Sequence, residues 1–160
     1  MARFKIVVGN EELTIDQSMA QMTIWSIWSA PLIMSSDLRL IRPVFKKILL
    51  NKDVIAIDQD PLGMFGRMIL NETCLSIYVK PVTPYRSSVF SYAIALLNRC
   101  QTRAQMASFV FKEIGLRHEK GYRVKDLWTG EKSGIQKPNE HYRAKVRPTS
   151  ARLIKATAVF

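Results

Sequence analysis

The chain contains 160 residues, of which 48% are hydrophobic, and it carries a formal net charge of +11. This apolar fraction predicts a folded core and excludes a wholly disordered chain. The sequence has no uninterrupted apolar run as long as a membrane span, so we predict no membrane partner. Its first apolar run is also too short for the core of a signal peptide.

The positive charge is unevenly distributed along the chain. Residues 1–65 carry seven basic and seven acidic side chains, whereas residues 66–160 carry 17 basic and six acidic ones. A basic half can bind an anionic partner such as nucleic acid. Because the Lys and Arg residues are scattered and many alternate with apolar residues, we predict a solvated basic face and no nucleic-acid partner. A basic nucleic-acid-binding protein stays as an alternative.

The first 60 residues show the pattern of a strand followed by a helix, twice. The apolar run Phe4–Val8 predicts a buried parallel strand. Thr14 and Gln17 are spaced as a capping box at the start of a helix. Leu32–Met34 predicts a second, very short strand, and Pro43 opens another helix at a position where its missing N–H does no harm.

The first of these helices is apolar around much of its circumference, so it needs neighbours on more than one side. Its apolar residues recur at helical spacing and are Ile15, Met19, Met22 and Trp25. Two strand–helix units cannot close a barrel, and their strand edges would stay unpaired. We therefore expect the isolated chain to bind hydrophobic dyes, to aggregate and to unfold without a sharp transition. An independent small α+β domain is the alternative.

The pattern changes near Asp60–Gly66, where proline and glycine residues interrupt the apolar runs. After this point short strands alternate with turns, which predicts a compact antiparallel β-sandwich. The predicted turns are Val82–Tyr85, Thr129–Gly130 and Lys137–Asn139. The predicted strands are Arg67–Leu70, Cys74–Lys80, Ser88–Leu97, Ser108–Lys112, Tyr122–Trp128, His141–Arg147 and Arg152–Val159.

Four blocks of the sequence resemble one enzyme family in their order and spacing. They are Ile6–Asn10, Leu13–Met22, Ala30–Leu38 and Asp53–Gly63. These blocks look like the α-galactosidase and α-N-acetylgalactosaminidase family, glycoside hydrolase family 27 or the melibiases. The segments Val124–Gly130 and Ala151–Val159 resemble the C-terminal β-domain of that family more weakly.

The resemblance implies an α/β part followed by an all-β part. Residues 1–62 would be the last two βα units of a (β/α)8 TIM barrel, with Phe4–Val8 as strand seven and Leu32–Met34 as strand eight. Residues 63–160 would form a C-terminal antiparallel β-sandwich. Where the family has an Asp-Pro-Asp-Met-like stretch, this chain has Ala2-Arg-Phe-Lys5, which suggests that the upstream sequence differs from that of the family.

The resemblance also implies hydrolysis of terminal α-linked galactosyl or N-acetylgalactosaminyl residues with retention, so that the partners would be such glycans. Retaining hydrolysis uses two carboxyl groups about 5–5.5 Å apart. In the family both are aspartates on earlier barrel strands, so no catalytic, substrate-binding or metal-binding residue and no cofactor is assigned here. We predict that the chain alone has no activity.

A homodimer is a further candidate assembly. A non-catalytic β-module for carbohydrate binding or subunit contact is an alternative function.

Several local carboxylates could be considered as substitutes for the missing pair. Glu11, Glu12 and Asp37 follow the two predicted barrel strands, at the rim where active sites of such barrels lie. Adjacent glutamates do not by themselves face a sugar from opposite sides, and Asp37 is typical of a turn or a helix cap. Asp58 and Asp60 precede a proline as turn formers. The remaining rim residues, Gly9 and Asn10, are interpreted as scaffold.

Asn71 begins the sequon Asn-Glu-Thr and is a candidate glycosylation site. A sequon matters only in a protein that enters the secretory pathway, and the resemblance implies a lysosomal or secreted parent protein. Cys74 and Cys100 do not form a disulfide framework or a CxxC pair, and we predict two free thiols or core residues. His118 and His141 show no metal-ligand spacing.

Overall fold

The computed structural model describes residues 5–9 and 13–160. The predicted strand residue Phe4 and the rim residues Asn10, Glu11 and Glu12 lie outside these ranges. The helices are α1 (Ile15–Trp28), α2 (Pro43–Leu49) and α3 (Lys52–Asp58). The strands are β1 (Arg67–Asn71), β2 (Leu75–Arg86), β3 (Val89–Asn98), β4 (Gln105–Val110), β5 (Tyr122–Asp126), β6 (Lys132–Gln136), β7 (His141–Val146) and β8 (Ala151–Ala158).

The two predicted barrel strands meet in a single parallel bridge between Ile6 and Met34. The N–H of Ile6 donates to the carbonyl of Ile33 at 2.9 Å, and the N–H of Ser35 donates to the carbonyl of Ile6 at 3.0 Å. The two segments therefore run side by side in the predicted direction. The bridge is a single residue pair, so both segments are much shorter than typical strands.

Helix α1 begins with the predicted capping box. The Thr14 hydroxyl accepts the Gln17 N–H at 3.1 Å, and the Gln17 side-chain oxygen accepts the Thr14 N–H at 2.9 Å. The helix ends at Ser29, which adopts a left-handed conformation with φ of 50°. The predicted apolar face is wrong at Ile15, which is 41% exposed. Small polar side chains of α1, Ser18 among them, are buried instead, because this face packs closely against its neighbours.

Helix α3 begins at Lys52, shortly after α2 ends at Leu49. Pro43 occupies the first turn of α2, as predicted. Helix α3 is separate because the Asn51 side chain accepts the N–H groups of Asp53 and Val54 at 3.1 and 3.2 Å, which starts a new helix. The sequence pattern indicated only continued apolar packing there. No helix in the described ranges combines the length and the apolar character needed to cross a bilayer.

The strands form two antiparallel sheets, which confirms the predicted sandwich. The larger sheet has the order β1-β2-β3-β8-β5-β6, and β4 pairs with β7 in the smaller one. In β3, Ile94 and Leu96 face the smaller sheet, whereas Ala93 and Ala95 face the helices. The large sheet is therefore buried on both faces, and each fully buried Leu or Ile contributes about 1.5–3 kcal/mol to stability.

One predicted turn is wrong and one strand was missed. Val82–Tyr85 lies within β2, where the pairing with β3 shifts register around the cis peptide bond between Thr83 and Pro84. Proline is tolerated in a strand at such an irregularity. The chain reverses instead at Ser87 and Ser88, whose φ angles of 48° and 64° suit a tight hairpin turn. The missed strand, β6, is an edge strand with mostly exposed residues.

The prediction of free thiols is wrong, because Cys74 and Cys100 form a disulfide bond with a Cα–Cα distance of 5.1 Å. The pairing of β2 with β3 places Leu75 opposite Asn98. The cysteines that flank these strand ends are thereby brought together, although they lie 26 residues apart in the sequence. The bond joins the β1–β2 turn to the segment that follows β3.

Candidate functional site

The barrel rim is formed by the residues that follow the Ile6–Met34 bridge. The Ser36 hydroxyl donates to the carbonyl of Val8 at 2.8 Å, which holds the two segments together beyond the bridge. Gly9 has φ of 93°, and a Cβ at this position would lie 2.9 Å from the Ile41 side chain. Gly9 is thus restricted to glycine by both conformation and space.

Asp37 lies at this rim, exposed to solvent and bound to Arg39. The guanidinium Nε donates to Asp37 Oδ1 at 2.9 Å, and Nη2 donates to Oδ2 at 2.6 Å. The Arg39 N–H also donates to Oδ1 at 3.0 Å, which closes a turn. The hydrogen bonds from Arg39 lower the pKa of Asp37. An ionised carboxylate whose two oxygens are already bound is poorly suited to protonate a leaving group.

Asp58 and Asp60 are placed away from this turn, at the end of α3. Asp60 Oδ1 accepts the N–H of Leu62 at 3.1 Å, so Asp60 forms a turn as the sequence suggested. Its Oδ2 also accepts the N–H and the hydroxyl of Thr83 at 2.8 and 2.7 Å. Asp60 therefore ties the segment after α3 to β2, a role that sequence reasoning missed.

A buried ammonium group lies at the junction between the helices and the large sheet. Lys80 of β2 has no exposed surface. Its Nζ donates to the carbonyl of Ser26 at 3.1 Å, to the Ser29 hydroxyl at 2.7 Å and to the carbonyl of Ile57. These groups belong to the C-terminal ends of α1 and α3, where the helix dipoles favour a positive charge. Burial lowers the pKa of Lys80, and the charge of Asp58 opposes this shift.

Asp58 interacts with Lys80 through its charge, and its own pKa is strongly raised. Its Oδ1 is buried and has no hydrogen-bond partner in the described part of the chain. Burial raises the pKa of Asp58 to about 6, while the positive charge of Lys80 acts in the opposite direction. Perturbed groups of this kind also occur in purely structural ion pairs. The position of this pair between packed layers favours a structural role.

The β-domain carries an aromatic cleft that no sequence motif indicated. It is lined by Phe90, Tyr92, His118 and Tyr122, and its volume is about 510 Å³. The ring centres of Tyr92 lie 6.3 Å from Phe90 and 6.1 Å from Tyr122. Burial raises the pKa of the Tyr92 hydroxyl. The cleft offers apolar ring surface beside polar groups, which suits a small polar ligand.

The two histidines are not brought together as metal ligands. His118 Nε2 lies 2.6 Å from the carbonyl of Val159, and His141 is exposed at the start of β7. Within residues 5–9 and 13–160, no group of three or more His, Cys, Asp or Glu side chains could hold a metal ion. Asn71 is exposed at the end of β1.

Comparison with known proteins decides the family. The sequence model described as "Alpha galactosidase A" matches residues 3–60, and that of the "Alpha galactosidase C-terminal beta sandwich domain" matches residues 73–156, just over half of the chain. This chain belongs to the α-galactosidase family. Its first segment is therefore a partial TIM barrel, and its second is the C-terminal β-sandwich of that family.

Similar proteins cover the chain but are much longer. The α-N-acetylgalactosaminidase of Gallus gallus is 32% identical over 145 residues, which are 90% of this chain and 35% of that protein. The human α-galactosidase A is 42% identical over 94 residues, covering 59% of this chain and 21% of the relative. The crystal structure of α-galactosidase I from Mortierella vinacea has the same fold, with a TM-score of 0.84 at 23% identity, covering 95% of this chain and 38% of that one. The chain thus spans about a third of the length of the curated relative that it matches over most of its residues.

Proposed function

We propose that this chain is the C-terminal part of a glycoside hydrolase that removes terminal α-linked galactosyl or N-acetylgalactosaminyl residues with retention. The observation that supports the proposal is the match of both segments, in the same order, to the α-galactosidase family. In this proposal residues 1–62 supply the last part of the barrel rim, and residues 63–160 form the β-domain. The parent protein is lysosomal or secreted and acts on α-galactoside or α-N-acetylgalactosaminide glycans, with a homodimer as its candidate assembly.

The catalytic carboxyl pair belongs, in this proposal, to barrel strands outside the chain. Retaining hydrolysis needs one carboxylate as nucleophile and one carboxylic acid as proton donor, about 5–5.5 Å apart. Asp37 is engaged by Arg39 on both oxygens. Its lowered pKa removes it further from the role of acid. We therefore propose that the chain by itself does not turn over α-galactosides.

The test is an assay of the purified chain with an aryl α-galactoside and an aryl α-N-acetylgalactosaminide. We expect the aryl group to be released no faster than in buffer. The unmutated chain and its Asp37→Asn and Glu11→Gln variants should give identical rates. A full-length family member serves as the positive control. Turnover above the buffer rate that disappears in either variant would overturn the proposal.

A second candidate function is glycan binding by the aromatic cleft. Its volume of about 510 Å³ lies within the range of small-molecule sites, about 300–1,000 Å³. The ring face of Phe90 can stack on a sugar, while Arg117 and Glu119 at the rim can bind hydroxyl groups. Sugar binding here would need no catalytic carboxylate, so it is separable from hydrolysis.

Calorimetric or NMR titration of the full chain with galactose and N-acetylgalactosamine tests this candidate. We expect Phe90→Ala to weaken binding about tenfold, which corresponds to ~1.4 kcal/mol of lost contact. Phe65→Ala, which changes an aromatic residue that is 69% exposed between α3 and β1, is the matched control and should leave binding unchanged. If neither sugar binds, or if both variants lose the same amount of affinity, the cleft is excluded as the site.

A further inference from the structure

The sequon Asn71-Glu72-Thr73 begins at the last residue of β1 and continues into the turn before β2, directly before Cys74 of the disulfide. All three sequon residues are exposed to solvent. The N–H of Glu72 donates to the carbonyl of Leu75 at 2.8 Å, which defines the turn. A bulky group attached to Asn71 would therefore project into solvent and would not have to displace the core.

The two halves of the Asn71 amide have different surroundings. The oxygen Oδ1 accepts hydrogen bonds from the Ser76 hydroxyl at 3.2 Å and from Arg99 Nη2 at 2.9 Å. Arg99 also donates to the carbonyls of Glu72 and Thr73. The nitrogen Nδ2 donates to no group in the described residues. The side chain is thus held through its oxygen, while the nitrogen that would carry a glycan stays uncommitted.

Asn98 provides a comparison within the same chain, since it lies beside Cys100, the other cysteine of the disulfide. Asn98 is fully buried. Its Nδ2 donates to the carbonyls of Arg103, Val146 and Arg147 at 2.8, 3.2 and 3.1 Å. The fold therefore commits one asparagine nitrogen to internal hydrogen bonds and leaves that of Asn71 accessible.

We propose that Asn71 is the acceptor of an N-linked glycan in an oxidising secretory compartment, and that the transfer precedes closure of the Cys74–Cys100 disulfide. The donor is a lipid-linked oligosaccharide. Asn71 Nδ2 forms a bond to C1 of the first sugar and loses one proton, the bond from C1 to the phosphate oxygen breaks, and the lipid diphosphate leaves. The disulfide and the sequon both belong to the same kind of compartment.

The order of the two modifications follows from the turn. The transferring enzyme has to enclose residues 71–73, so these residues must be able to leave the folded turn. In the folded chain the turn is held by Arg99 and by the hydrogen bond between Glu72 and Leu75. The disulfide adds a covalent restraint one residue after Thr73 and one residue after Arg99. Closure of the disulfide should therefore reduce transfer.

The site is tested by directing the full chain into a eukaryotic secretory host with a cleavable signal and measuring its intact mass. We expect one glycan, removed by peptide N-glycosidase with conversion of Asn71 to aspartate. Asn71→Gln and Thr73→Ala should abolish the mass shift, whereas Thr73→Ser should retain it. Asn139→Gln, at an exposed asparagine without a sequon, is the matched control and should also retain it. A secreted, disulfide-bonded chain that is unmodified at Asn71 overturns the site.

The order is tested separately by translation with microsomes under reducing and oxidising conditions. We expect a lower fraction of modified chains under oxidising conditions, and no such difference for Cys100→Ser, which cannot close the disulfide. Equal modification of the parent chain in both conditions overturns the proposed order while leaving the site itself to the mass measurement.

Discussion

A single ammonium group, that of Lys80, joins the ends of α1 and α3 to the large sheet. Replacement by methionine keeps the volume but removes the ammonium group that donates to the carbonyls of Ser26 and Ile57. Losing a buried hydrogen bond to a charged group costs about 1.5–3 kcal/mol. We expect Lys80→Met to lower the free energy of unfolding in urea by about 3 kcal/mol. Lys112→Met, at an exposed lysine, should change it by less than about 0.5 kcal/mol, and equal effects would contradict the role of Lys80.

Asp58 should make stability depend on pH. Its pKa is raised from 3.8 to about 6 by burial, so between these values the folded chain keeps a proton that the unfolded chain has lost. Stability should therefore fall as pH rises through this window, by an amount that solvent screening reduces. We expect the unfolding free energy of Asp58→Asn, relative to the parent chain, to increase between pH 4 and 7. Gln59→Ala changes an uncharged neighbour and is the control. Its unfolding free energy should differ from that of the unmutated chain by an amount that does not vary with pH.

At the scale of elements, Asn51 connects helix α3 to the β-domain. Its Oδ1 caps the helix, and its Nδ2 donates to the carbonyl of Leu127 at 2.9 Å. A cap and a hydrogen bond are each worth about 1 kcal/mol. We expect Asn51→Ala to lower the free energy of unfolding by about 2 kcal/mol, and Asn51→Ser, which keeps a capping oxygen, by about 1 kcal/mol. Equal losses in the two variants would show that the cap contributes nothing measurable.

The elements also show which signals a sequence carries. The capping box of Thr14 and Gln17 and the helix start at Pro43 are local, and both were predicted correctly. The disulfide was not, because it depends on the register of β2 with β3. Lys80 looked like an ordinary strand residue, because its partners are two backbone carbonyls and the Ser29 hydroxyl at the ends of distant helices. Contacts of this kind have no sequence signature. The aromatic cleft likewise gathers rings from separate strands and loops.

At the scale of the whole molecule, the two parts of the chain share one core. Ile6, Met22 and Phe45 of the partial barrel pack with Ala95 and Leu153 of the large sheet. The sequence suggested an unprotected barrel remnant, but the face of that remnant that meets the sheet is covered. The segment from Ile33 to Leu40 remains more exposed, since Ile33, Leu38 and Leu40 are each at least half exposed.

Hydrophobic dye binding should therefore concentrate at the segment from Ile33 to Leu40. Ile33, Leu38 and Leu40 are 58%, 50% and 85% exposed there. We expect the purified chain to enhance the fluorescence of a hydrophobic dye, and Leu40→Ser combined with Ile33→Thr to remove most of the enhancement. Met106→Thr, at a residue of β4 that is 59% exposed, is the matched control because it lies on the sandwich. A sharp thermal transition without dye binding would contradict the prediction, since it would mean that this apolar surface is already covered.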